Sequence, residues 1–348
     1  MRVLYFSFNV EPRSTIIRKG LKRYGINTDV TLMTLRSFDT LKLLFNPKYY
    51  DAIIVGEYGH YFIPFAKWLK LLNACTLLLF DPYISLYDTM VNDRKLIKAT
   101  SWKAMYYFLL DKYSCEVTDI CLLDTNMHIK YFSKTFKIPR EKFRRVFVGA
   151  DDEIFYPRSI EKKDMYFTVF WYGTYIPLHG AEYIVKAAKS LEKYKDIRFI
   201  MVGKGQTYFQ IKKLVDSLRV SNIEFIEWIN YYKLPLYMSR ADVCLGIFGN
   251  TGKAKRVIPN KVFQALAVKK PVITGNTPAI REALSHMKNA YLCNIADEKA
   301  LAEAILTLKN DESLRMKLAE NGYLLFKEKF SVEQIGKCVK RIIEEALI

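Results

Sequence analysis

Three cations near the start of a predicted helix have the types and spacing that suggest chemistry. Lys253 and Arg256 fall in a basic loop after the apolar run 243–248, and Lys261 falls in the first helical turn. Pro259 suits this helix start, since the N–H group that proline lacks would be unpaired there anyway. Free N–H groups and the helix dipole both attract an anion. The segment therefore predicts an anion site; the alternative is an ordinary strand–helix–strand unit with a solvated basic loop.

The elements that must position these residues follow from the alternation of apolar runs with amphipathic segments along the whole chain. This alternation is typical of βαβ units, whose parallel sheets carry helices on both faces and bind ligands at the carboxyl ends of their strands. A polar stretch, RSIEKKD, follows Pro157 and interrupts the pattern. We therefore predict an α/β protein with two Rossmann-like lobes, residues 1–157 and 158–330, whose parallel sheets face across a cleft, and a final helix at 331–348.

Charge and cysteine usage limit the classes of function. The 348-residue chain has a formal net charge of +18, spread over both halves. Such an excess favours anionic partners (phosphates, a membrane surface or nucleic acid) or serves solubility alone. Six cysteines without a CxxC pair and four histidines without close spacing indicate reduced core thiols and argue against a metal site. No apolar run reaches ~18 residues and the N-terminus resembles a strand, so we expect a cytoplasmic protein without a spanning helix.

Five motifs occur in a fixed order through residues 145–285. They combine glycine turns after apolar strands with a Lys-Pro-Val strand, and they are GADDEIFYP (149–157), WYGTYIPLHG (171–180), IRFIMVGKGQ (197–206), IEFIEW (223–228) and QALAVKKPVIT (264–274). Together they resemble the family 4 glycosyltransferases of the GT-B fold. The resemblance implies that the final helix returns to the first lobe and that the second lobe binds a nucleotide-sugar. The donor-binding residues that it implies are Gly173, Thr174, His179, Gly203, Lys204, Gly205, Trp228, Lys253 and Gln264.

The chain departs from the family pattern at four matched positions. Thr174, His179, Arg256 and Gln264 stand where the family has Arg, Lys, Glu and Glu. A glutamine amide oxygen can accept hydrogen bonds from ribose hydroxyls, so we expect Gln264 to take the ribose-binding role. Because cations are lost on one wall and acids on the other, we expect neutralisation of the leaving diphosphate to have moved to the 253–261 loop, chiefly to Lys261 and Arg256.

The first lobe should hold the acceptor side, where the resemblance is looser. Asp81 directly follows the apolar run 76–80, so it is expected at the carboxyl end of a strand. We predict catalytic roles for Asp81, Arg256 and Lys261. The alternative for an aspartate in this position is helix capping or a surface ion pair.

These features predict an enzyme that moves a hexose-type sugar from a nucleotide-diphosphate sugar to a glycan or lipid-linked acceptor. The resemblance implies retention of anomeric configuration. No metal or other cofactor is expected, because lysine, arginine and helix N-termini can neutralise the leaving diphosphate.

One segment of the first lobe points to a membrane. Lys95–Tyr113 mixes lysines with Trp, Tyr and Leu at roughly helical spacing, as expected for a helix at an anionic membrane surface. The alternative is a helix that packs its apolar face on the sheet. The first reading predicts a protein bound peripherally to the inner face of the membrane.

Two other functions remain open. A nucleotide-sugar epimerase on the same fold would usually need acids and histidines that this chain lacks. A catalytically weakened relative that binds nucleotide or nucleic acid is favoured by the loss of both family acids and by the basic charge. Against nucleic acid, the basic residues form no single stripe and no readout motif is present.

Overall fold

The computed structural model describes residues 1–7, 12–32, 49–73, 75–160 and 165–348. The chain divides into two compact units. The N-terminal unit comprises Met1–Gly149 together with Val332–Ile348, and the C-terminal unit comprises Ala150–Ser331. The second unit thus begins at Ala150, whereas the sequence pattern placed the boundary after residue 157. The polar stretch that suggested this boundary is partly outside the described residues.

Each unit contains a sheet of parallel strands in its described part, six strands in each. The central strands are buried along their whole length, for example Ala52–Val55 and Leu77–Phe80, because helices cover both faces of the sheet. The order in the N-terminal unit is β2-β1-β3-β4-β5-β6, and in the C-terminal unit β12-β11-β10-β7-β8-β9. The strands are β1 Arg2–Ser7, β2 Asn27–Leu32, β3 Ala52–Val55, β4 Leu77–Phe80, β5 Ile120–Leu123, β6 Phe143–Arg145, β7 Phe167–Tyr172, β8 Ile197–Val202, β9 Ile223–Ile226, β10 Val243–Leu245, β11 Val272–Gly275 and β12 Tyr291–Cys293.

Helices lie between most of the described strands and pack on the sheets. They are α1 Pro12–Arg23, α2 Ile63–Leu72, α3 Trp102–Val117, α4 Asn126–Phe136, α5 Ala181–Ser190, α6 Tyr208–Leu218, α7 Leu234–Arg240, α8 Asn260–Ala267, α9 Glu298–Asn310, α10 Glu312–Lys329 and α11 Val332–Leu347, with a π-helical turn at Asp88–Asp93. In the described part of the chain, no helix is long and apolar enough to cross a membrane. The predicted fold class, two Rossmann-like α/β units with parallel sheets, is confirmed.

The last helix, α11, belongs to the N-terminal unit and packs on α1. A Cβ atom added to Gly20 would lie 2.5 Å from the Gly336 Cα atom, so the two helix backbones cross in direct contact. The apolar stripe seen in the sequence is buried at this interface, at Ile335, Val339 and Ile343. The two glycines at the crossing therefore allow α11 to pack closely against α1.

Candidate functional site

Two glycine turns meet where β7 and β8 end. Gly203 has a φ of +119°, and a Cβ atom there would lie 2.1 Å from the Gly173 carbonyl oxygen. Any side chain at residue 203 would therefore clash with the neighbouring turn, as well as being strained. Because β7 and β8 are parallel neighbours, both turns lie at the carboxyl edge of the sheet, where α/β proteins bind ligands.

A cavity of about 450 Å³ opens beside these turns. This volume falls within the range of small-molecule sites. Of the residues predicted to bind a donor, five lie in its wall, from three separate strand ends. The lining residues are Tyr172, Gly173, Thr174, Val202, Gly203, Lys204, Glu227, Trp228, Ile229 and Leu234.

An exposed ion pair and an exposed indole form the solvent side of this cavity. Lys204 Nζ lies 2.5 Å from Glu227 Oε2, and both side chains are more than half exposed. The hydrogen bond from Lys204 holds the pKa of Glu227 below its ordinary value, but solvent screens such a pair. Trp228 is 75% exposed, so its ring is available for stacking. Glu227 was not predicted, because the sequence gives no sign that a residue before Trp228 would meet Lys204.

Lys261 lies beside the turn that contains Gly173, although it does not line the cavity itself. Its side chain is buried, and its Nζ has no hydrogen-bond partner among the described residues. The Nζ lies 4.4 Å from the centre of the Trp171 ring, and a Cβ atom on Gly173 would lie only 2.6 Å from it. Burial lowers the pKa of Lys261 well below its ordinary value. A buried ammonium without a hydrogen-bond acceptor, adjacent to a backbone turn of the cavity, is suited to an incoming anion.

The start of α8 gives Lys261 this position. Pro259 precedes the helix in extended conformation, and Asn260 and Lys261 open the first turn, as the sequence indicated. The Asn260 Oδ1 is also buried without a hydrogen-bond partner among the described residues. Sequence reasoning missed Asn260, since asparagine at a helix start is usually a cap.

Gln264 is held between two tyrosines on the buried side of α8. Its Oε1 accepts from the Tyr172 hydroxyl, and its Nε2 donates to the Tyr231 hydroxyl at 3.2 Å. Burial raises the pKa of Tyr172 well above its ordinary value and that of Tyr231 to about 12, so both remain hydroxyls at neutral pH. Both ends of the amide are thus engaged by the protein. Gln264 does not line the cavity itself but contacts Tyr172, which does.

His179 positions the turn that contains Thr174. Its Nδ1 contacts the Thr174 carbonyl oxygen, and its ring meets Trp171 edge-on, with centroids 5.8 Å apart. A carbonyl oxygen can only accept, so the Nδ1 must carry the hydrogen. The side chain is buried, and His179 therefore acts on the shape of the cavity wall without forming part of it.

The remaining predicted residues of the C-terminal unit lie outside the cavity wall as described. Gly205 packs against the backbone of Tyr175, whose nitrogen would lie 2.6 Å from a Cβ atom there. Lys253 is buried and Arg256 is partly buried, and the Arg256 guanidinium lies against Gly252. Gly205 thus shapes the turn, while Lys253 and Arg256 belong to the loop before α8.

Asp81 lies in the N-terminal unit, at the carboxyl end of β4 as predicted, but its carboxylate is 0% exposed. Its Oδ2 accepts from Arg13 Nε at 2.7 Å, and Arg13 Nη1 donates to the Val146 carbonyl oxygen at 2.8 Å. The carboxylate therefore joins α1 to β4 through a buried ion pair. Its predicted catalytic role remains a prediction. Within the described residues no group of three His, Cys, Asp or Glu side chains could hold a metal ion.

The family model described as glycosyl transferases group 1 matches residues 152–325, half of the chain. An uncharacterized glycosyltransferase of Methanocaldococcus jannaschii is 26% identical over 259 residues, which cover 74% of this chain and 67% of that protein. The lipopolysaccharide core biosynthesis glycosyltransferase LpsD of Rhizobium meliloti is 24% identical over 49% of this chain and 47% of its own length. A chitobiosyldiphosphodolichol beta-mannosyltransferase of Candida albicans is 21% identical over 70% of this chain and 52% of its own length. The chain thus spans about half the length of the last two relatives.

Solved structures agree on the fold across nearly the whole chain. The Anabaena protein HepE in complex with UDP-glucose superposes with a TM-score of 0.75 at 14% identity, covering 99% of this chain and 100% of its own. Sucrose-phosphate synthase of Thermosynechococcus elongatus superposes with a TM-score of 0.72 at 15% identity, covering 99% and 98%. At these identities the likeness establishes the two-domain α/β architecture alone. With the family match over residues 152–325, the chain belongs to the group 1 glycosyltransferases and has the GT-B fold.

Proposed function

We propose that this protein transfers a hexose-type sugar from a nucleotide-diphosphate sugar to a glycan or lipid-linked acceptor, in the manner of family 4 enzymes. The reaction proceeds with retention and without a metal. The observation that carries the proposal is the buried Lys261 Nζ, which has no hydrogen-bond partner among the described residues and lies beside Gly173 at the cavity. A diphosphate at the glycine turns would supply the acceptor that this ammonium lacks.

The residues of the cavity divide the work of binding. Gly173 and Gly203 leave the backbone bare, so phosphate oxygens can approach it closely. The exposed Trp228 ring offers a stacking surface for the base, an interaction worth ~1–3 kcal/mol in nucleic-acid complexes. Lys204 lies on the rim, where its charge meets solvent. The strand ends therefore position the donor, and Lys261 at the start of α8 supplies the positive charge.

In this proposal Lys261 assists the step that breaks the bond between the sugar and the diphosphate. As the bond from the sugar to the diphosphate breaks, negative charge grows on the leaving oxygen. A fixed cation lowers the barrier by as much as it stabilises that charge beyond the ground state. The family's Lys position holds His179, which is engaged with the Thr174 carbonyl, so Lys261 is the cation that takes over this role. Arg256 is proposed to assist from the preceding loop.

Gln264 acts as a positioning residue in this proposal. Its contact with the Tyr172 hydroxyl sets one wall of the cavity, next to the expected ribose. Gln264→Ala should raise KM for the donor several-fold with little change in kcat, because Tyr172 loses its partner while Lys261 is untouched. An unchanged KM would remove Gln264 from the site.

The relatives guide the choice of substrates. HepE was crystallised with UDP-glucose, so UDP-hexoses are the first donors to test. One relative is named for lipopolysaccharide core synthesis, and another for a dolichol-diphosphate-linked acceptor. These names support a glycan or lipid-linked acceptor for this chain.

The test is thermal unfolding with UDP, GDP, ADP, CDP and dTDP, each alone and as its hexose conjugate. A ligand at 100 times its Kd adds about 2.7 kcal/mol to stability. We expect one nucleotide to raise Tm in the parent and in Trp102→Ala, but much less in Trp228→Ala. Trp102 is a matched control because it is 79% exposed against 75% for Trp228 and lies in the other unit.

Further measurements separate the parts of the proposal. Full activity with excess chelator would support the metal-free reaction, and the anomeric configuration of the product, read by NMR, tests retention. If no nucleotide shifts Tm while an oligonucleotide binds with a steep salt dependence, nucleic-acid binding replaces this proposal.

A further inference from the structure

Helix α3 carries large apolar side chains on its outer face, whereas the residues that it buries completely are small or polar. The buried residues are Ala104, Asp111, Ser114 and Cys115. Asp111 Oδ2 accepts from the Ser85 hydroxyl at 2.7 Å and from the Tyr87 nitrogen at 2.9 Å, and its Oδ1 lies 2.8 Å from His60 Nε2. These polar contacts attach the helix to its unit together with Cys115 and Phe108, which pack in the apolar core. A typical surface helix buries a broader apolar face.

The outer face of α3 consists of large apolar residues at helical spacing. They occur at steps of three, four, seven and eleven residues from the first, so they share one side of the helix. We call this surface the α3 outer face; its members are Trp102, Met105, Tyr106, Leu109 and Tyr113, which are all exposed.

The apolar surface continues onto the neighbouring segment. Tyr61 lies next to Tyr106, and α2, which follows Tyr61, also contacts α3. Trp68, Leu71 and Leu72 of α2 are exposed as well. Exposed apolar side chains on two contacting helices favour an interaction site here.

Lysines precede this surface in the chain and flank it on the helix. Lys95 and Lys98 lie in the exposed segment before α3, and Lys103 follows Trp102 on its flank. Lys112, on the opposite flank, pairs with Glu116 at 3.4 Å. Lysines around an aromatic patch suit a layer of anionic headgroups above an apolar interior.

We propose that the α3 outer face is a docking surface for an anionic lipid bilayer, with Trp102 and Leu109 entering the headgroup–acyl boundary. Trp and Tyr are the aromatic residues enriched at this boundary, because their rings combine an apolar body with a polar group. A protein partner would leave the lysines without a general role, whereas an anionic bilayer uses both the apolar face and the charge. The proposal does not depend on the donor or the acceptor of the enzyme.

The experiment is co-sedimentation of the full chain with two kinds of vesicle. One contains phosphatidylcholine alone, and in the other about one lipid in three is the anionic phosphatidylglycerol. We expect binding to the anionic vesicles, a blue shift of tryptophan emission, and weakening as salt is raised. Trp102→Ser with Leu109→Ser should weaken binding at least about tenfold, since two large apolar side chains leave the interface.

The matched control is Phe209→Ser, which removes an aromatic ring that is 76% exposed on α6 of the C-terminal unit. This variant should bind vesicles as the parent does. Because all three positions are exposed, each variant should keep the parent's Tm. The blue shift should become smaller in Trp102→Phe, which retains a ring but lacks the indole at the proposed insertion point.

Three results would overturn the proposal. The double Ser variant would bind anionic vesicles as tightly as the parent, or Phe209→Ser would lose binding to the same extent. Alternatively, the parent would ignore vesicles but self-associate in a manner that the double variant abolishes. This last outcome would assign the α3 outer face to a second copy of the chain.

Discussion

Replacing Lys261 by methionine should make the protein more stable and less active at once. The lysine is buried, and its Nζ has no hydrogen-bond partner among the described residues. The Nζ lies 4.4 Å from the centre of the Trp171 ring, in a cation–π contact. Methionine has a similar length and fills similar space without a charge. The substitution therefore removes a buried amine that has no hydrogen-bond acceptor and is costly to protonate, and it leaves the packing nearly intact.

The size of the stability change follows from two opposing contributions. An unpaired buried polar group costs about 1–3 kcal/mol, and more when it is charged. A cation–π contact at a desolvated position returns roughly 0.5–2 kcal/mol. We expect Lys261→Met to raise the free energy of unfolding by about 1 kcal/mol, which for a unit of this size corresponds to about 2–4 °C in Tm. Turnover should fall roughly a hundredfold, as when one transition-state donor is removed.

The pH dependence of this stability difference tests whether the buried amine of Lys261 causes it. Burial lowers the pKa of Lys261 in the folded state, so above that pKa the unfolded chain binds more protons than the folded chain. Stability of the parent therefore rises with pH between the lowered folded pKa and the ordinary value of ~10.4. Methionine binds no proton, so the advantage of the variant should be larger at pH 6 than at pH 9.

The assay is urea and thermal unfolding of parent and variant at both pH values without ligand. Lys255→Met is the control, because it removes a lysine from the same loop that is exposed; its Tm should match the parent's at each pH. A Lys261→Met protein that is less stable than the parent, or whose advantage is equal at pH 6 and pH 9, would refute the reasoning.

Three more outcomes follow from single contacts. Gly203→Ala should lower stability by roughly 1–3 kcal/mol from its φ alone and abolish the nucleotide-induced rise in Tm, because the added Cβ meets the Gly173 carbonyl; unfolding with and without ligand measures both. Asp81→Asn should cost ~3–5 kcal/mol, since its arginine partner stays buried without a counter-charge, whereas Glu116→Gln at an exposed pair should cost less than about 1 kcal/mol. Nucleotide binding should take up a proton, because a diphosphate raises the lowered pKa of Lys261; calorimetry in two buffers of different ionisation enthalpy measures this, and Lys261→Met should abolish it.

The sequence predicted the parts of the site that depend on backbone geometry. Glycines at the ends of apolar strands indicated where the chain turns closely, and the turns of Gly173 and Gly203 do line one cavity. The position of Lys261 in the first turn of α8 was also predicted, since a proline followed by helical spacing indicated where this helix starts. These predictions needed only local patterns and the rule that parallel strands end at one edge.

Side-chain partners distant in sequence could not be predicted in this way. Gln264 meets Tyr231 and Tyr172 through contacts between separate elements, so its buried position was invisible in the helical pattern. The ion pair of Asp81 with Arg13 joins residues 68 apart in the sequence. For α3, spacing indicated one apolar side but not its direction, which depends on contacts with other elements such as those of Asp111 and Cys115.

The cost of Lys261 itself argues for a ligand at this site. A buried ammonium that lowers stability has no structural benefit that methionine would not provide better, and natural proteins keep such groups mainly where function uses them. The close contact between the turns of Gly173 and Gly203 is similarly restrictive, because Gly203 tolerates no side chain. Both features become favourable together when an anion occupies the turn: the Lys261 amine regains its proton and its charge, and the bare backbone gains contacts. A neutral ligand would relieve only the second, so the nucleotide's diphosphate, more than its sugar or base, should account for the stabilisation on binding.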